Sequence, residues 1–332
     1  MGENDSTIGI ESKAGISLSV VVCTYGRPES VVTTLRSILD AATDFAELIV
    51  VDQNEDLDTY QALCPLLSDD RLRYFHVNGK GLGRARNVGL ERAECEIVAF
   101  TDDDCTVSPD WLEGYRHVFT AFPEVNLCYG SVLAADHDHT LGYIPDYTIP
   151  TNRFCRTLRA KLSARGIGAN FAMRRSAVKA LGGFDLRLGA GGDLCSAEDR
   201  DLTLRCLLAG HGVYEYRDSI VFHHGFRDWA RGRVHTWKDW FGLGAVYAKP
   251  LRAGRWRVLP YMLHEFVRYA LLPFLVATLT FRSQRGWTRI SAFFAGFIQG
   301  WRSPIDRQSL CYLSLTPEQV LSSHEQNAAP RT

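Results

Sequence analysis

The sequence predicts an α/β protein whose open, mostly parallel sheet is covered by helices on both faces. Four short apolar runs alternate with amphipathic stretches between residues 17 and 100, and this alternation is typical of consecutive βα units. Two of the runs end at acidic residues, and ligands bind at the carboxyl ends of the strands in such sheets. A length of 332 residues and a hydrophobic content of 46% are sufficient for a large buried core.

Each strand of this first part is predicted from a run of β-branched and other apolar residues. The predicted strands comprise residues 17–23, 48–51, 72–77 and 97–100. Helices are predicted between them: one begins near Pro28, one spans residues 59–67, and a short one follows the glycine-containing loop 79–83. The first helix has apolar side chains at helical spacing, which predicts one buried face.

The α/β pattern is predicted to continue as far as residue 224. The predicted helices comprise residues 111–122, 176–181 and 198–209, and the predicted strands comprise residues 126–133, 168–173 and 213–222. Glycines follow the last two helices, as is common at helix ends. Residues 135–162 are predicted to be irregular, and a connection of that length is usually functional or mobile.

The distribution of charge divides the chain. Residues 1–224 contain 32 acidic and 22 basic side chains, whereas residues 225–302 contain 3 acidic and 13 basic ones. We therefore predict four parts. They are a flexible N-terminal lead (1–16), an α/β domain (17–224), a basic and apolar helical segment (225–302) and a tail (303–332).

The basic segment contains two apolar stretches flanked by arginines and aromatic residues. Residues 258–281 are interrupted by His264, Glu265 and Arg268, which leaves 13 uninterrupted residues, and residues 290–301 form a second stretch of 12. A helix that spans a membrane needs about 20 apolar residues. The pattern favours helices that lie in the interface of an anionic membrane. A helical subdomain packed on the core and a true membrane span are the alternatives.

The cysteines and the N-terminus predict the compartment. The nine cysteines are scattered and include no C-x-x-C pair, which argues against a disulfide framework or a zinc ribbon and favours a reducing compartment. Residues 1–16 lack the apolar run of a signal peptide. With the basic segment, these features predict a cytoplasmic protein that is peripheral on the inner face of the cell membrane.

Three consecutive acids follow the fourth predicted strand. Asp102, Asp103 and Asp104 repel one another beside a buried strand, and a divalent cation would relieve that repulsion. Hard oxygen ligands suit Mg²⁺ or Mn²⁺. Ser108 and Pro109 are expected to be the N-cap and the first residue of the next helix. The alternative to a metal site is a solvated acidic turn that caps this helix.

Further candidates for nucleotide binding lie at earlier strand ends. Asp52 could accept hydrogen bonds from a base or a ribose. The glycine loop 79–83 follows the third strand rather than the first and lacks the third glycine of a dinucleotide-binding motif, which argues against that motif. Arg84 and Arg86 after this loop could still approach a diphosphate.

Glu198 and Asp199 open a predicted helix, where acids are favoured by the helix dipole. Asp199 also shares a helix face with Leu202 and Cys206, so we expect it at the edge of the core and facing a cleft. A carboxylate in that place, with Glu198 nearby, could act as a general base. His223 ends a predicted strand, and a structural role and a metal-ligand role both remain open for it.

Seven short motifs, in this order, resemble those of family 2 glycosyltransferases. The motifs are VVVCTYGR (20–27), IVVD (49–52), GRARNVG (83–89), FTDDD (100–104), GANFAMRR (168–175), GGFD (182–185) and EDRDL (198–202). The resemblance covers roughly residues 17–224. It implies the GT-A fold, with a Rossmann-like, mostly parallel sheet and helices on both faces, and it implies a nucleotide-sugar donor.

The resemblance also implies roles for individual residues. The residues implied to bind the nucleotide sugar are Thr24, Tyr25, Arg27, Asp52, Arg86, Asn87, Asp102 and Asp103. The residues implied to hold Mn²⁺ or Mg²⁺ are Asp102, Asp104 and His223. Asp199 is the implied general base, with Glu198 beside it. Residues 53–55 depart from the Asp-Gly-Ser that is commoner after the strand-end acid, which makes base recognition less certain.

The function expected from the resemblance is transfer of a sugar from a UDP-, GDP- or dTDP-sugar to a saccharide or lipid-linked acceptor. The setting would be synthesis of cell-surface polysaccharide or glycolipid. A single base opposite the leaving group predicts inversion at the anomeric carbon. The Q-x-x-R-W motif of processive synthases is missing, which favours one sugar per encounter.

Two other functions are weighed against this one. A sugar-phosphate nucleotidyltransferase is disfavoured because such enzymes usually carry a glycine-rich loop after the first strand, where this chain has TYGRP. A non-catalytic carbohydrate-binding or scaffold protein is disfavoured by the intact acids at 102–104 and 198–199. No nucleic-acid partner is expected, since the apolar runs in the basic segment fit a membrane better.

Overall fold

The computed structural model of the chain describes residues 16–41, 45–280 and 285–314. Most of the predicted lead (1–15) and of the predicted tail (315–332) lies outside the described residues. The strands are β1 (Leu18–Thr24), β2 (Glu47–Asp52), β3 (Leu72–His76), β4 (Ile97–Asp102), β5 (Cys105–Val107), β6 (Val125–Ala134), β7 (Gly142–Tyr143), β8 (Arg153–Cys155), β9 (Asn170–Arg174), β10 (Gly212–His223) and β11 (Arg227–Asp228).

The helices fall between and after these strands. They are α1 (Pro28–Ala41), α2 (Asp58–Leu63), α3 (Leu82–Arg92), α4 (Trp111–Ala121), α5 (Arg175–Ala180), α6 (Glu198–Leu208), α7 (Trp229–Arg252), α8 (Leu259–Phe266), α9 (Leu272–Leu279) and α10 (Arg285–Arg302). A π-helical turn, Val267–Leu271, joins α8 to α9, and short 3₁₀ turns occupy Leu158–Leu162 and Trp256–Val258.

The main sheet has the strand order β3-β2-β1-β4-β9-β6-β10-β5, and β8 also pairs with β10. The first four strands are all parallel to one another, as are β6 and β10. The predicted α/β sheet is therefore confirmed. β9 runs antiparallel to both β4 and β6, which apolar patterning does not reveal, since a buried strand reads alike in either direction.

Helices cover both faces of this sheet, as predicted. The apolar residues of α1 and α4 pack with Val20 and Val22 of β1 on one face. Those of α3, α5 and α6 pack with Val21 on the other face. Because alternate residues of a strand point to opposite faces, a strand buried on both sides needs the continuous apolar run seen in β1.

The structure differs from the predicted elements mainly in the C-terminal half. Residues 229–252 lie within the predicted helical segment 225–302, but sequence analysis gave no bounds for a helix there, and they form α7. Its glycines and Pro250 are poor helix formers. Two of its glycines permit close packing. A Cβ at Gly242 would lie 2.4 Å from the carbonyl oxygen of Ser196, and one at Gly244 would lie 2.1 Å from that of Phe293.

α7 joins the C-terminal segment to the α/β domain. Lys249 of α7 is completely buried, and its Nζ lies 2.6 Å from carboxylate oxygens of both Asp185 and Asp201. Tyr312 of the predicted tail donates its N–H to Asp185 and its hydroxyl to the carbonyl of Ala245. Packing within the described residues is thus continuous across the predicted boundary at 224/225 and into the first part of the predicted tail.

The C-terminal segment is helical, as predicted, and one helix in it is long. Trp256–Leu279 forms 24 helical residues that are apolar enough to cross a membrane by length and composition, and only 17% of their most apolar stretch is buried. This helix exceeds the 13 residues predicted to be uninterrupted, because Glu265 turns inward and pairs with Lys161 at 3.3 Å. Its large exposed apolar residues are Trp256, Leu263, Val267, Leu272, Leu275, Val276 and Leu279.

Candidate active site

The three consecutive acids lie at the end of β4 and in the turn that leads to β5. β5 pairs antiparallel with the end of β10 and places Cys105 opposite His223. This pairing brings Asp104 beside His223, although the two residues are far apart in the sequence. Sequence analysis did not predict β5, because it is only three residues long.

α4, the helix that follows β5, begins later than predicted. Its first residue is Trp111 and its N-cap is Asp110. Ser108 instead lies in a turn in which its carbonyl accepts the N–H of Trp111. The expectation that Ser108 caps the helix and Pro109 begins it is therefore wrong, because residues 108–110 form this turn and α4 begins only after it.

Asp104 and His223 form the candidate metal site. Nε2 of His223 lies 3.2 Å from Oδ1 of Asp104, and Nδ1 of His223 is 2.9 Å from the carbonyl oxygen of Pro145. A carbonyl only accepts hydrogen bonds, so it fixes a proton on Nδ1 and leaves Nε2 directed at Asp104. Apart from this contact with His223, Oδ1 of Asp104 is buried without a hydrogen-bond partner among the described residues. A buried carboxylate oxygen of this kind, beside an imidazole nitrogen, is suited to coordinate a divalent cation.

The charges of this pair support each other. Burial lowers the pKa of His223, but the hydrogen bonding and charge of Asp104 outweigh it and raise that pKa above its ordinary value. Burial raises the pKa of Asp104, but His223 and Arg27 outweigh it and lower that pKa. A cation bound at this position would neutralise the Asp104 carboxylate, as the proton on Nε2 of His223 otherwise does.

Two neighbours of the pair differ in their suitability as ligands. Sγ of Cys105 belongs with Asp104 and His223 to a group whose ligand atoms all lie within 4.8 Å of one another. Burial raises the pKa of the Cys105 thiol well above its usual range, which disfavours the thiolate that binds metals. Asp102 is not part of this group, because its Oδ1 faces Arg86 at 3.1 Å. Its predicted role as a metal ligand stays a prediction.

Arg27 neutralises the acid turn from the solvent side. Its Nη1 lies 2.8 Å from Oδ1 of Asp103 and 2.6 Å from Oδ2 of Asp104, while about half of its side chain (51%) is exposed. Thr24 donates a hydrogen bond of 2.7 Å to the other oxygen of Asp103. Burial raises the pKa of Asp103 to about 6, although Arg27 and Thr24 oppose the shift. These residues hold the turn, and their predicted contacts with a nucleotide sugar stay predictions.

Arg86 connects the acid turn to α6. Its buried guanidinium donates hydrogen bonds to Glu198 at 2.7 Å, to Asp102 at 3.1 Å and to the carbonyl of Gly168 at 2.8 Å. Burial lowers the pKa of Arg86, but the charges of Glu198 and Asp102 outweigh it and raise that pKa. Arg86 is therefore a permanent cation that fixes the distance between the end of β4 and the start of α6.

The first turn of α6 carries three acids, and two of them are buried in ion pairs. Glu198 is bound to Arg86, and Asp201 is bound to Lys249. Burial raises the pKa of Glu198 to about 7, although Arg86 opposes the shift. The 2.7 Å bond to Arg86 favours the ionised form of Glu198 at neutral pH. Neither acid is available to a substrate without losing its partner.

Asp199 is the acid of this turn that remains partly exposed. Its Oδ1 accepts the N–H of Arg200 at 2.7 Å. Its Oδ2 faces Gly168, where an added Cβ would lie 3.4 Å from that oxygen. Ala197 just before the helix has a φ of 72°, a conformation that is rare outside glycine and is found at functional sites. Of the two predicted catalytic acids, Asp199 is the one with the better access to a substrate.

Two other predicted residues, Asp52 and Tyr25, have contacts of their own in the structure. Asp52 is completely buried, and its oxygens accept hydrogen bonds from the hydroxyl of Tyr74 and the N–H of Asn54. A base that contacts Asp52 would have to share or replace one of these bonds. Tyr25 is exposed, with Nζ of Lys80 4.1 Å from its ring centre. The predicted nucleotide contacts of both residues stay predictions.

Three amide side chains fix the loops around the site. Asn87 donates a hydrogen bond to the carbonyl of Phe184 and accepts one from its N–H, and its predicted position near the ribose and diphosphate stays a prediction. Gln53 accepts the N–H of Gly81, and Asn54 accepts that of Gly26. Sequence analysis noted residues 53–55 as a departure from the family pattern but assigned them no role. Gln53 and Asn54 directly follow the strand-end acid Asp52, and this position could have indicated that they contribute to the site.

Comparison with known proteins identifies the family. Residues 19–182 match the family described as Glycosyl transferase family 2. This chain contains a family 2 glycosyltransferase domain. The glucosyl-dolichyl phosphate glucuronosyltransferase of Haloferax volcanii is 28% identical to it over 240 residues, which cover 65% of this chain and 76% of that protein.

Solved structures show that the glycosyltransferase has a GT-A fold. The fragment 1-349 of S. aureus TarS, in complex with UDP-GlcNAc, has a TM-score of 0.62 and 19% identity, and the match covers 89% of this chain and 84% of that one. The mannosyltransferase PcManGT from Pyrobaculum calidifontis, in complex with GDP-Man and Mn²⁺, has a TM-score of 0.56 and 18% identity. That match covers 86% of this chain and 87% of the other.

Proposed function

We propose that the enzyme is an inverting, metal-dependent transferase that moves a sugar from a nucleoside-diphosphate sugar to a hydroxyl of a saccharide or lipid-linked acceptor. The observation that carries this proposal is the double contact of Arg86 with Asp102 and Glu198. It fixes the end of β4, next to the candidate metal site, relative to the first turn of α6, which carries the candidate base. The donor and the acceptor would bind in a cleft between the two. Transfer needs the metal site and the base, because the leaving group and the attacking hydroxyl lie on opposite sides of the sugar.

Asp104 and His223 would hold Mn²⁺ or Mg²⁺ on the donor side of this cleft. Bound there, the cation would act as a Lewis acid and neutralise the leaving diphosphate. Arg27 lies beside Asp104 with half of its side chain exposed, and it could supply further positive charge to the phosphates. The complexes of the two solved relatives with UDP-GlcNAc and with GDP-Man and Mn²⁺ support a donor of this class for the present chain.

Asp199 would accept the proton of the acceptor hydroxyl as that hydroxyl attacks. Glu198 is the weaker candidate, because proton transfer to it would disrupt its bond to Arg86. We instead assign Glu198 to positioning: it binds Arg86 and so fixes the first turn of α6. With one base and no second carboxylate nucleophile assigned, a single displacement inverts the anomeric carbon.

The acceptor and the location are proposed together. The exposed apolar side chains of Trp256–Leu279 and the exposed Arg255 and Arg257 before them support binding to an anionic membrane surface on its cytoplasmic side. The name of the Haloferax volcanii relative includes a dolichyl phosphate, which supports a lipid-linked acceptor for this chain. Synthesis of cell-surface polysaccharide or glycolipid would use such an acceptor.

A donor panel tests the catalytic part of the proposal. The protein is incubated with Mn²⁺ and UDP-, GDP- and dTDP-sugars, and thermal stabilisation and slow donor hydrolysis are followed with and without EDTA. We expect one donor to stabilise the wild type only in the presence of metal. Asp104→Asn should lose this response, whereas Asp218→Asn, which alters an exposed acid far along the chain, should keep it.

Asp199→Asn separates binding from chemistry. We expect it to keep metal-dependent stabilisation by the donor and to reduce hydrolysis by about 100-fold or more, the usual contribution of a positioned general base. Loss of donor binding in this variant would contradict the assigned base role. A folded wild type that responds to no donor would contradict the proposed function itself.

A further inference from the structure

A cavity lies next to the candidate base Asp199, on the side of α6 that faces the C-terminal helices. It has a volume of about 290 Å³ and separates α6 from the C-terminal helices. Arg200 and Thr203 of α6 line it, and Oγ1 of Thr203 donates a hydrogen bond of 3.0 Å to the carbonyl of Asp199. The cavity therefore begins one residue after Asp199, on the side that faces the C-terminal segment.

The lining of this cavity is strongly basic. Its four cationic side chains are Lys161, Arg165, Arg200 and Arg289, and its two acidic side chains are Asp239 and Glu265. Both acids already have partners in the structure. Glu265 is bound by Lys161 at 3.3 Å and by the hydroxyl of Tyr247 at 2.7 Å, and Asp239 accepts a hydrogen bond from Ser196.

The three guanidinium groups are less tightly paired. Among the described residues, no carboxylate lies within ion-pair distance of Arg165, Arg200 or Arg289. Burial lowers the pKa of Arg200, but the charges of Glu265, Asp199 and Asp239 outweigh it and raise that pKa. Tyr269 orients two of them: the guanidinium of Arg165 lies 4.4 Å from its ring centre, and Arg289 donates a hydrogen bond of 2.7 Å to its carbonyl. Oriented guanidinium groups without carboxylate partners are the usual binding groups for phosphates.

One helix connects this cavity to the exposed apolar surface. Glu265 and Tyr269 of the helix Trp256–Leu279 line the cavity, whereas Leu263, Val267 and Leu272 of the same helix are exposed. A ligand with a phosphate in the cavity could therefore extend a lipid chain along the outside of this helix. Its other end would lie near Asp199.

We propose that this basic cavity binds the phosphate or diphosphate group of a lipid-linked acceptor and so directs the acceptor sugar to Asp199. The inference rests on the proposed transferase function and names a binding site for its acceptor. Arg165 and Arg289 would contact the phosphate oxygens, and Arg200 would lie between them and the base. The donor diphosphate, by contrast, would bind on the side of Asp104 and His223.

The test measures binding of farnesyl diphosphate to the full chain through the fluorescence of its tryptophans, one of which, Trp240, lines the cavity. We expect Arg165→Gln and Arg289→Gln each to weaken binding about tenfold, because each removes hydrogen bonds to a charged group. Arg159→Gln should bind like the wild type, since Arg159 is exposed and does not line the cavity. Farnesol, which lacks the phosphates, should bind to none of them at the same concentration.

Several results would overturn the inference. Wild-type affinity in both cavity variants, each folded by its melting curve, would exclude the arginines as phosphate ligands. Equal affinity for inorganic pyrophosphate would indicate a site for free phosphate. If the variants bound farnesyl diphosphate like the wild type but bound phosphatidylglycerol vesicles less tightly, the cavity would be a site for membrane headgroups. The metal-dependent donor response should be unchanged in both variants, because the cavity is separate from the donor site. If the wild type itself showed no donor response, that result would count against the proposed function and not against the cavity.

Discussion

Replacing Lys249 tests how the C-terminal segment holds the catalytic domain together. Lys249 lies on α7 and is completely buried between Asp185 and Asp201, with both Nζ–carboxylate distances at 2.6 Å. Asp185 follows the glycines after α5, and Asp201 lies in the first turn of α6. The substitution Lys249→Met keeps most of the side-chain volume and removes the charge that both carboxylates share.

The expected loss of stability depends on the hydrogen bonds that each carboxylate retains in Lys249→Met. Removing one partner of a buried ion pair costs about 3–5 kcal/mol, because it leaves a buried charge uncompensated. Asp201 keeps a 2.8 Å bond to Arg205, and Asp185 keeps the N–H of Tyr312 at 2.7 Å. We therefore expect the lower end, a decrease of about 3 kcal/mol in the free energy of unfolding. Since domains are stable by about 5–15 kcal/mol, the variant should fold but unfold at clearly lower urea concentration.

The assay is urea unfolding at neutral pH, followed by fluorescence. Lys238→Met is the matched control, because Lys238 is exposed on the same helix, and surface substitutions usually change stability by less than about 0.5 kcal/mol. Equal midpoints for the two variants would refute the reasoning. Addition of Asp185→Asn to Lys249→Met should recover part of the loss, since it removes one of the two uncompensated charges.

The stabilisation should also depend on pH in a stated direction. Burial raises the pKa of Asp185, but Lys249 outweighs it and lowers that pKa below its ordinary value of 3.8. The contribution of Asp185 is therefore present above about pH 4 and lost as the pH falls through the lowered pKa. The difference between wild type and Lys249→Met should accordingly persist at neutral pH and shrink in strong acid.

The remaining predictions concern the site and the membrane. His223→Ala should raise the Mn²⁺ concentration needed for half-maximal donor hydrolysis by about tenfold or more, while His224→Ala, at an exposed neighbour, should not; equal metal dependence would contradict the ligand role. Arg86→Gln should reduce turnover by about tenfold or more, because the bonds to Asp102 and Glu198 are charge-assisted; near wild-type turnover in a folded variant would contradict the linking role. Leu275→Glu with Val276→Glu should reduce sedimentation with anionic vesicles and leave the melting temperature unchanged, because both residues are exposed; unchanged sedimentation would contradict the interfacial surface.

The sequence predicted the first half of the fold well, because its strands are buried on both faces. β1, β2 and β4 lie within two residues of their predicted bounds, since continuous apolar runs leave little ambiguity. α7 lies within the predicted helical segment 225–302, but its bounds were not predicted. Its glycines lower the helix propensity of the sequence, and only the close approach of neighbours such as Phe293 makes a helix favourable there. Tertiary packing of this kind cannot be read from local pattern.

The candidate site was predicted in residue type but not in pairing. The acids of the turn and of α6 were both identified from their strand-end and helix-start positions. Their connection through Arg86 was not, because it joins residues 112 positions apart in the sequence. The contact of His223 with Asp104 likewise depends on β5, a strand of three residues, which is too short to give an alternating or apolar signal.

The arrangement of α6 explains why the two halves of the chain have to be considered together. Glu198 is held by Arg86 from the α/β domain, and Asp201 is held by Lys249 from the C-terminal segment. Asp199 lies between these two fixed points, so its position depends on both. Removal of residues 225–332 would leave Asp201 and Asp185 without Lys249 and would alter the candidate base as well as the membrane surface. Substitutions on the exposed face of α9 are therefore the sharper test of membrane binding, because they leave both fixed points in place.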